Sequence, residues 1–226
     1  MRTIVIAPHA DDELLGCGGT LLKRGKQGSE IAWILMTTLL NKDGWSVELI
    51  RKREHEIEMV RKGLKINENN LFKLGFSPTK LDQTPIANIV ERISKIFIDF
   101  QPDEVFLPYP GDIHSDHRIT FEAALSCTKW FRYPFIKRIY TYETLSETEF
   151  GVDPRYQTFR PNTFIDISGE IDKKIELMKI YSTEIKDHPF PRSILSIQSK
   201  AFIRGSEMGT RAAEAFCLLT SREIDS

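Results

Sequence analysis

Short runs of β-branched and apolar residues alternate along the chain with longer segments whose apolar positions recur at helical spacing. The short runs predict buried strands at residues 3–7, 30–38, 70–74, 104–107, 136–142 and 164–167. The longer segments predict helices at residues 14–26, 47–64, 86–100, 119–129 and 169–181. Strands that alternate with helices in this order predict an α/β fold, Rossmann-like, with a mostly parallel sheet covered by helices on both faces.

The chain has 226 residues and shows no internal repeat, low-complexity tract or linker. This length is typical of one domain, so we predict a single domain over residues 1–226. The least regular stretch is residues 143–161, which mixes polar residues with two prolines. We expect this stretch to form a lid or a flank of a site.

Composition narrows the class of protein. Hydrophobic residues make up 41% of the chain, and 31 Lys and Arg against 32 Asp and Glu give a formal charge of -1, so no basic excess favours nucleic acid. The longest apolar run, residues 31–40, is shorter than the roughly 20 residues of a membrane-spanning helix. No signal-peptide pattern opens the sequence, and three widely spaced cysteines, which we expect to be buried, suit a reducing compartment. We therefore expect a cytoplasmic protein.

Two polar loops follow predicted strands and carry the candidate chemistry. In open α/β sheets, ligands bind beyond the carboxyl ends of the strands, which singles out residues 8–13 and 108–117. In the first loop, His9 and a carboxylate three residues later can bind one metal ion, and the adjacent Asp11 and Asp12 can divide ligand and base roles. The alternative is that one of these aspartates only caps the following helix.

The second loop places Asp112, His114, Asp116 and His117 within six residues. Three of the five histidines of the chain lie in these two loops, although a solvated loop with incidental histidines stays an alternative. The glycines at 16, 18 and 19 lack the third glycine of a dinucleotide-binding G-x-G-x-x-G motif. We expect them to permit close packing of the first helix against the sheet.

The run PHADDELLGCGGTL at residues 8–21 closely resembles the AHPDDE segment of the LmbE-like, PIG-L type metal-dependent N-acetylglucosaminyl deacetylases. GDIHSDHR at residues 111–118 resembles their HPDH segment, and FIDIS at 164–168 with a later RG…G…AEAF pattern is similar to their C-terminal part. The resemblance implies that His9, Asp12 and His117 bind Zn²⁺ or another divalent transition metal. It also implies that Asp11 is the general base.

The same resemblance implies roles for other side chains of the second loop. His114 would be the protonated partner of the tetrahedral intermediate and the leaving amine, and Asp116 would orient a neighbouring imidazole. Asp112 is expected to contact the substrate. An R-x-x-E element of the family matches Arg51 and Glu54, so Arg51 is a further candidate for substrate binding, with a surface salt bridge as the alternative.

The predicted function is hydrolysis of the acetamide of an N-acetylglucosamine-type sugar conjugate, which releases acetate and a free amine. One alternative is an iron(II) oxygenase whose triad combines His114, Asp116 and a distant histidine, but it leaves His117 unused and strand-helix alternation does not suit a jelly roll. A second alternative is a non-catalytic sugar-binding module, against which the presence of Asp11 and both motif histidines argues. The expected partner is a small N-acetylated sugar conjugate, and a homo-oligomer stays open.

Overall fold

A computed structural model describes residues 1–156 and 158–223, so Gln157 and residues 224–226 of the predicted domain lie outside the described part. Within that part the strands are β1 (Arg2–Ala7), β2 (Glu30–Thr37), β3 (Leu71–Phe76), β4 (Glu104–Pro108), β5 (Arg138–Tyr142), β6 (Thr163–Asp166) and β7 (Ala213–Ser221). The helices are α1 (Asp12–Lys26), α2 (Val47–Gly63), α3 (Ile86–Phe100), α4 (Ser115–Ser126), α5 (Ile171–Met178) and α6 (Ile194–Met208).

The described strands form one seven-stranded sheet with the order β3-β2-β1-β4-β5-β7-β6. Strands β1 to β5 pair in parallel, whereas β7 is antiparallel to both β5 and β6. The predicted α/β fold with a mostly parallel sheet is confirmed. Sequence patterning assigned no element to α6 and β7.

Helices cover both faces of the sheet, as the alternation of the strand side chains requires. Val5 and Trp33 are fully buried on one face, in a cluster with residues of α1, α2, α5 and α6. Ile4 and Ile34 are fully buried on the other face, against α3 and α4. The sheet is therefore the middle layer of three, and the strand ends reach the surface between the helices.

Two glycines let α1 lie close to its neighbours. A Cβ atom at Gly16 would come within 2.2 Å of the Tyr142 ring, and one at Gly19 within 2.7 Å of Ile167. The backbone N–H of Gly19 also donates to the buried Glu214 carboxylate over 2.8 Å. These contacts support the interpretation of the glycines as packing residues.

The order of the strands reverses between β1 and β4, because β1 connects to β2 on one side and β4 lies on the other. Parallel pairing of Thr3 with Glu104 brings the carboxyl ends of β1 and β4 together. Ligand sites of open α/β sheets lie at such a crevice. The two polar loops singled out by the sequence meet there.

Cys17 and Cys127 are buried as expected, but Cys217 is only half-buried, because it lies where β7 runs from the core to the surface. Across residues 1–156 and 158–223, the structure contains no helix with the length and apolarity needed to cross a membrane.

Candidate active site

The loop after β1 is closed by Asp12. Its Oδ2 accepts a hydrogen bond from the backbone N–H of His9 over 2.8 Å and lies 3.4 Å from His9 Nδ1. Asp11 occupies the position before the first residue of α1, yet its side chain forms no capping hydrogen bond. The capping alternative therefore fails for both aspartates, and both carboxylates are left for the site.

The loop after β4 passes directly into α4, which begins at Ser115 rather than at the predicted residue 119. His114 caps this helix, since its Nδ1 accepts a hydrogen bond from the Asp116 backbone N–H over 3.1 Å. A side-chain acceptor at the cap satisfies a free N–H of the first turn, which explains the earlier start. Asp116 and His117 are consequently buried in that first turn.

Donor atoms from the two loops converge on one point. The ligand atoms of His9, Asp12 and His117 all lie within 4.8 Å of one another, and His117 Nε2 is 3.3 Å from Asp12 Oδ2. His117 Nε2 is buried and has no hydrogen-bond partner among the described residues. A buried polar atom without a partner is costly, so this nitrogen fits a ligand that accepts its lone pair. The residues present therefore fit a divalent transition metal.

Each of the two imidazoles has a carboxylate on its other nitrogen. Asp116 Oδ2 lies 2.9 Å from His9 Nε2, and Asp112 Oδ2 lies 2.8 Å from His117 Nδ1. Such pairs fix the tautomer and aim the second nitrogen, here toward Asp12. Asp116 thus lies in position to orient the His9 imidazole.

Asp112 does not have the expected contact with substrate in this geometry. It is only 1% exposed, and its second oxygen accepts a hydrogen bond from the Thr148 hydroxyl over 2.6 Å. Both oxygens are therefore occupied inside the protein. The structure corrects the expectation: Asp112 positions His117 from behind.

The carboxylates give the centre a strong preference for positive charge. Burial lowers the pKa of His9, but Asp116 and Asp12 outweigh burial and raise that pKa to about 9. The pKa of His117 is likewise raised, because Asp12 and Asp112 outweigh its burial. A bound cation would benefit from the same negative charges.

Both carboxylate oxygens of Asp116 already have partners within the protein. Its Oδ2 accepts from the Thr79 backbone N–H over 2.7 Å, and its Oδ1 accepts from the Leu81 backbone N–H over 3.2 Å. Although His9, His114 and Asp116 lie close together, these hydrogen bonds and the Asp116 N–H on His114 Nδ1 would compete with an iron(II) ion at this triad. The seven-stranded α/β sheet is also not a jelly roll.

The expectation of a cationic His114 is not met. Burial, then the neighbouring His9 and His117, lower the pKa of His114 to about 4, and the Asp116 carboxylate is directed to His9 instead. Since His114 Nδ1 accepts a hydrogen bond, the ring proton lies on Nε2. His114 is therefore a neutral imidazole with one N–H to donate.

Asp11 lies beside Asp12 in the loop after β1. Its φ angle of 140° is in the region that side-chain-bearing residues rarely adopt. Burial, followed by the negative charge of Asp12, raises the pKa of Asp11 to about 8, and Arg192 opposes this with Nη1 3.6 Å from Asp11 Oδ2. Its carboxyl group lines a cavity beside His9 and Asp12.

The cavity has a volume of about 240 Å³ and includes His9, Asp11, Asp12 and His114 in its wall. Arg51 is exposed and does not belong to the described residues that line it. The arginine that lines the cavity is Arg53, two residues further along the chain, and it has the same R-x-x-E spacing to Glu56. The repeated spacing was the signal that the sequence interpretation missed.

Three other charged side chains of the wall had no sequence signal. Glu147 lies in the segment 143–161, which forms a wall of the cavity at this point, while Glu184 and Arg192 lie between α5 and α6. Both of these loops lack periodicity, and only the fold brings them to the carboxyl ends of β1 and β4. Arg192 Nη2 donates to Glu184 over 3.2 Å.

The family model described as PIG-L, GlcNAc-PI de-N-acetylase, matches residues 4–128, which is more than half of the chain. The chain belongs to the PIG-L family. It is 25% identical over 231 residues to the diacetylchitobiose deacetylase of Thermococcus kodakarensis, covering 94% of the chain and 81% of that protein. It is also 25% identical over 216 residues to the 2'-N-acetylparomamine deacetylase of Streptomyces fradiae, covering 82% of the chain and 74% of that protein.

The fold of this PIG-L member is similar to that of a solved relative. The N,N'-diacetylchitobiose deacetylase from Pyrococcus horikoshii, in complex with an inhibitor, superposes with a TM-score of 0.76 at 23% identity, covering 97% of the chain and 84% of that structure. The family and the named relatives confirm the predicted hydrolytic deacetylase. Neither the oxygenase nor the non-catalytic module receives support from them.

Proposed function

We propose that this PIG-L member is a zinc-dependent N-deacetylase that hydrolyses the acetamide of an N-acetylglucosamine-type sugar conjugate. The observation that carries the proposal is the convergence of His9, Asp12 and His117 beside the Asp11 carboxyl group, with His117 Nε2 buried and without a hydrogen bond from any described residue. A small-molecule conjugate is the expected substrate, because the named relatives are deacetylases of N-acetylated sugars. We extend the proposal to one deacetylase domain over residues 1–226 that works in the cytoplasm, which suits three free cysteines.

His9, Asp12 and His117 would hold the metal. Two imidazoles and one carboxylate leave an open position in a four-coordinate site, which is typical of catalytic rather than structural zinc. A divalent metal bound there supplies Lewis acidity, which activates water and polarises the amide carbonyl. Other divalent transition metals suit the same donor set, since ligand type alone does not select zinc.

Asp11 is the proposed general base. Its carboxyl group faces the cavity next to Asp12, and a divalent cation bound there would favour the ionised form, which can take a proton from a water molecule that attacks the acetamide carbon. The resulting hydroxyl joins the acetyl carbon, and the proton held on Asp11 passes to the nitrogen as the C–N bond breaks. The products are acetate and a free amine, and no group of the protein is consumed.

His114 is proposed to act as a neutral hydrogen-bond donor. Its Nδ1 is occupied by the Asp116 N–H, so its Nε2–H is the group available to the developing oxyanion. Donors that are fixed before the reaction stabilise this charge without reorganisation. The packed His9 and His114 rings, with centroids 4.5 Å apart, keep this donor next to the metal ligands.

Matched variants of the paired aspartates test the proposal. Asp11→Asn is expected to keep the metal and lose about 10²-fold or more in the rate of acetate release, because only the base is removed. Asp12→Asn is expected to lose metal affinity first. Acetate release from diacetylchitobiose and other N-acetylhexosamine conjugates, with elemental analysis on the same samples, measures both effects. Equal metal content and equal rates in the two variants would contradict the division of roles.

A further inference from the structure

The general base of the proposed reaction sits on an unusual backbone. Asp11 has φ 140° and ψ -27°, a conformation that strongly disfavours a residue with a Cβ atom. Strained residues persist only where the surrounding structure holds them in place. The contacts around the peptide unit between Ala10 and Asp11 show what holds Asp11 in this conformation.

Both polar groups of that peptide unit have a side-chain partner. The Ala10 carbonyl oxygen accepts a hydrogen bond from Arg53 Nη1 over 3.0 Å. The Asp11 N–H donates to Glu13 Oε2 over 3.0 Å. The plane of the peptide is therefore fixed from two opposite sides, by a residue of α2 and a residue of α1.

Tyr181 connects the two partners. Its hydroxyl donates to Glu13 Oε1 over 2.9 Å, and the guanidinium of Arg53 lies over its ring, 5.5 Å from the centroid. Glu13 and Tyr181 are both fully buried, so their hydrogen bond does not compete with water. Arg53, Tyr181, Glu13 and the peptide unit thus form a closed ring of contacts.

Most of the Arg53 guanidinium is engaged in this ring and its surroundings. Besides Ala10, its guanidinium donates to the Thr183 hydroxyl over 2.8 Å and to Glu184, and its Nε lies 3.2 Å from Glu56. Few of its donors are left for a ligand, although the side chain borders the cavity. Its contacts indicate support of the loop after β1 rather than direct recognition of a substrate.

We propose that Arg53, Glu13 and Tyr181 form a clamp on the peptide unit between Ala10 and Asp11, and that this clamp positions the Asp11 carboxylate for proton transfer. The inference rests on the proposed function for the role of Asp11, and names positioning residues rather than catalytic ones. It does not depend on the charge of Glu13. A protonated Glu13 can still accept from the Asp11 N–H and bond to the Tyr181 hydroxyl.

Tyr181→Phe removes one hydroxyl from the clamp and leaves the ring under Arg53. We expect kcat for acetate release to fall at least about tenfold, while KM and metal content stay unchanged. A displacement of the Asp11 carboxylate by less than 1 Å impairs proton transfer but does not change substrate binding. In the Asp11→Asn background the same change should have no further effect, since the clamp acts through Asp11. An equal loss in both backgrounds would overturn the proposal.

Glu13 supplies a conservative pair of variants. Glu13→Gln retains an acceptor for the Asp11 N–H and should keep most of kcat, whereas Glu13→Leu should lose it. Tyr140→Phe removes another tyrosine hydroxyl, from β5, and is the matched control with unchanged kcat. If Glu13→Leu does not fold, the Tyr181→Phe result still decides.

Hydrogen exchange of the Asp11 amide, followed by NMR, tests the clamp without any reaction. We expect exchange to be at least about tenfold faster in Tyr181→Phe than in the wild type and the Tyr140→Phe control. Unchanged exchange would overturn the clamp even if Asp11 proves to be the base. If exchange is faster in Tyr181→Phe but Asp11→Asn remains fully active, the clamp is supported and the proposed function is contradicted.

Discussion

Replacing Asp112 by Asn tests the carboxylate that supports His117. Two donors face Asp112, the His117 Nδ1–H at 2.8 Å and the Thr148 hydroxyl at 2.6 Å. The two donors face different oxygens of Asp112, and Asn has an NH₂ group in place of one of them, so one donor would face another donor. Either the support of His117 is lost, or its proton moves to Nε2, the nitrogen proposed to bind the metal.

The expected loss follows from this geometry. Removal of such an outer carboxylate weakens metal binding by about 10- to 100-fold, which is about 1.4–2.8 kcal/mol. The dissociation constant is measured by competition with a chromophoric chelator at fixed pH, on wild type and variant side by side. Thr148→Val should give a smaller loss in the same direction, since it removes one of the two donors.

Asp172→Asn is the control, because its side chain is 80% exposed at the start of α5 and lies outside the site. Its dissociation constant for the metal should equal that of the wild type. If Asp112→Asn also binds the metal as tightly as the wild type, His117 is not aimed by Asp112, and the account of the two carboxylate-supported imidazoles is wrong.

Three further results are expected. Gly16→Ala should lower the free energy of unfolding by about 1–3 kcal/mol in denaturant titrations, because the new Cβ meets the Tyr142 ring at 2.2 Å; an unchanged value would refute the packing role. Arg51→Gln should leave kcat and KM for acetate release unchanged, and a raised KM would restore it as a substrate contact. Burial raises the pKa of Asp103, but the Arg2 backbone N–H and Lys137 outweigh burial and hold that pKa below 3.8. The ionised Asp103 therefore stabilises the fold above pH 3.8, and this stabilisation is lost as the pH falls through the lowered pKa, so acid titrations of Asp103→Asn should lack this part of the stability loss.

Hydrophobic patterning predicted those strands and helices whose apolar residues recur at the spacing typical of the element. The buried run of β1 and the amphipathic α3 were predicted at or within one residue of their observed bounds. The end of the chain was not assigned, because α6 exposes apolar residues and β7 passes from buried to exposed along its length. An antiparallel strand at that place depends on tertiary pairing with β5 and β6, which no local pattern encodes.

The motifs predicted which residues are candidate ligands, but they did not predict which carboxylates contact the two imidazoles. His9, Asp12 and His117 are close together because β1 and β4 are adjacent. The sequence predicted that both loops lie at the carboxyl ends of strands, but it did not predict which strands pair. The roles of Asp112 and Asp116 depend on which side of each imidazole faces the carboxylate, and that is decided by the start of α4. Such angular information is absent from residue spacing.

The central claim is metal-dependent removal of an acetyl group from an N-acetylated amino sugar. The most direct measurement is the release of acetate and of free amine, in parallel, from N-acetylhexosamine conjugates by zinc-loaded wild type, by chelator-stripped protein and by stripped protein with zinc restored. We predict equimolar acetate and amine from the loaded and restored samples and neither product from the stripped one. Equal release with and without metal, or no acetate from any N-acetylated sugar by protein with one bound metal per chain, would contradict the account.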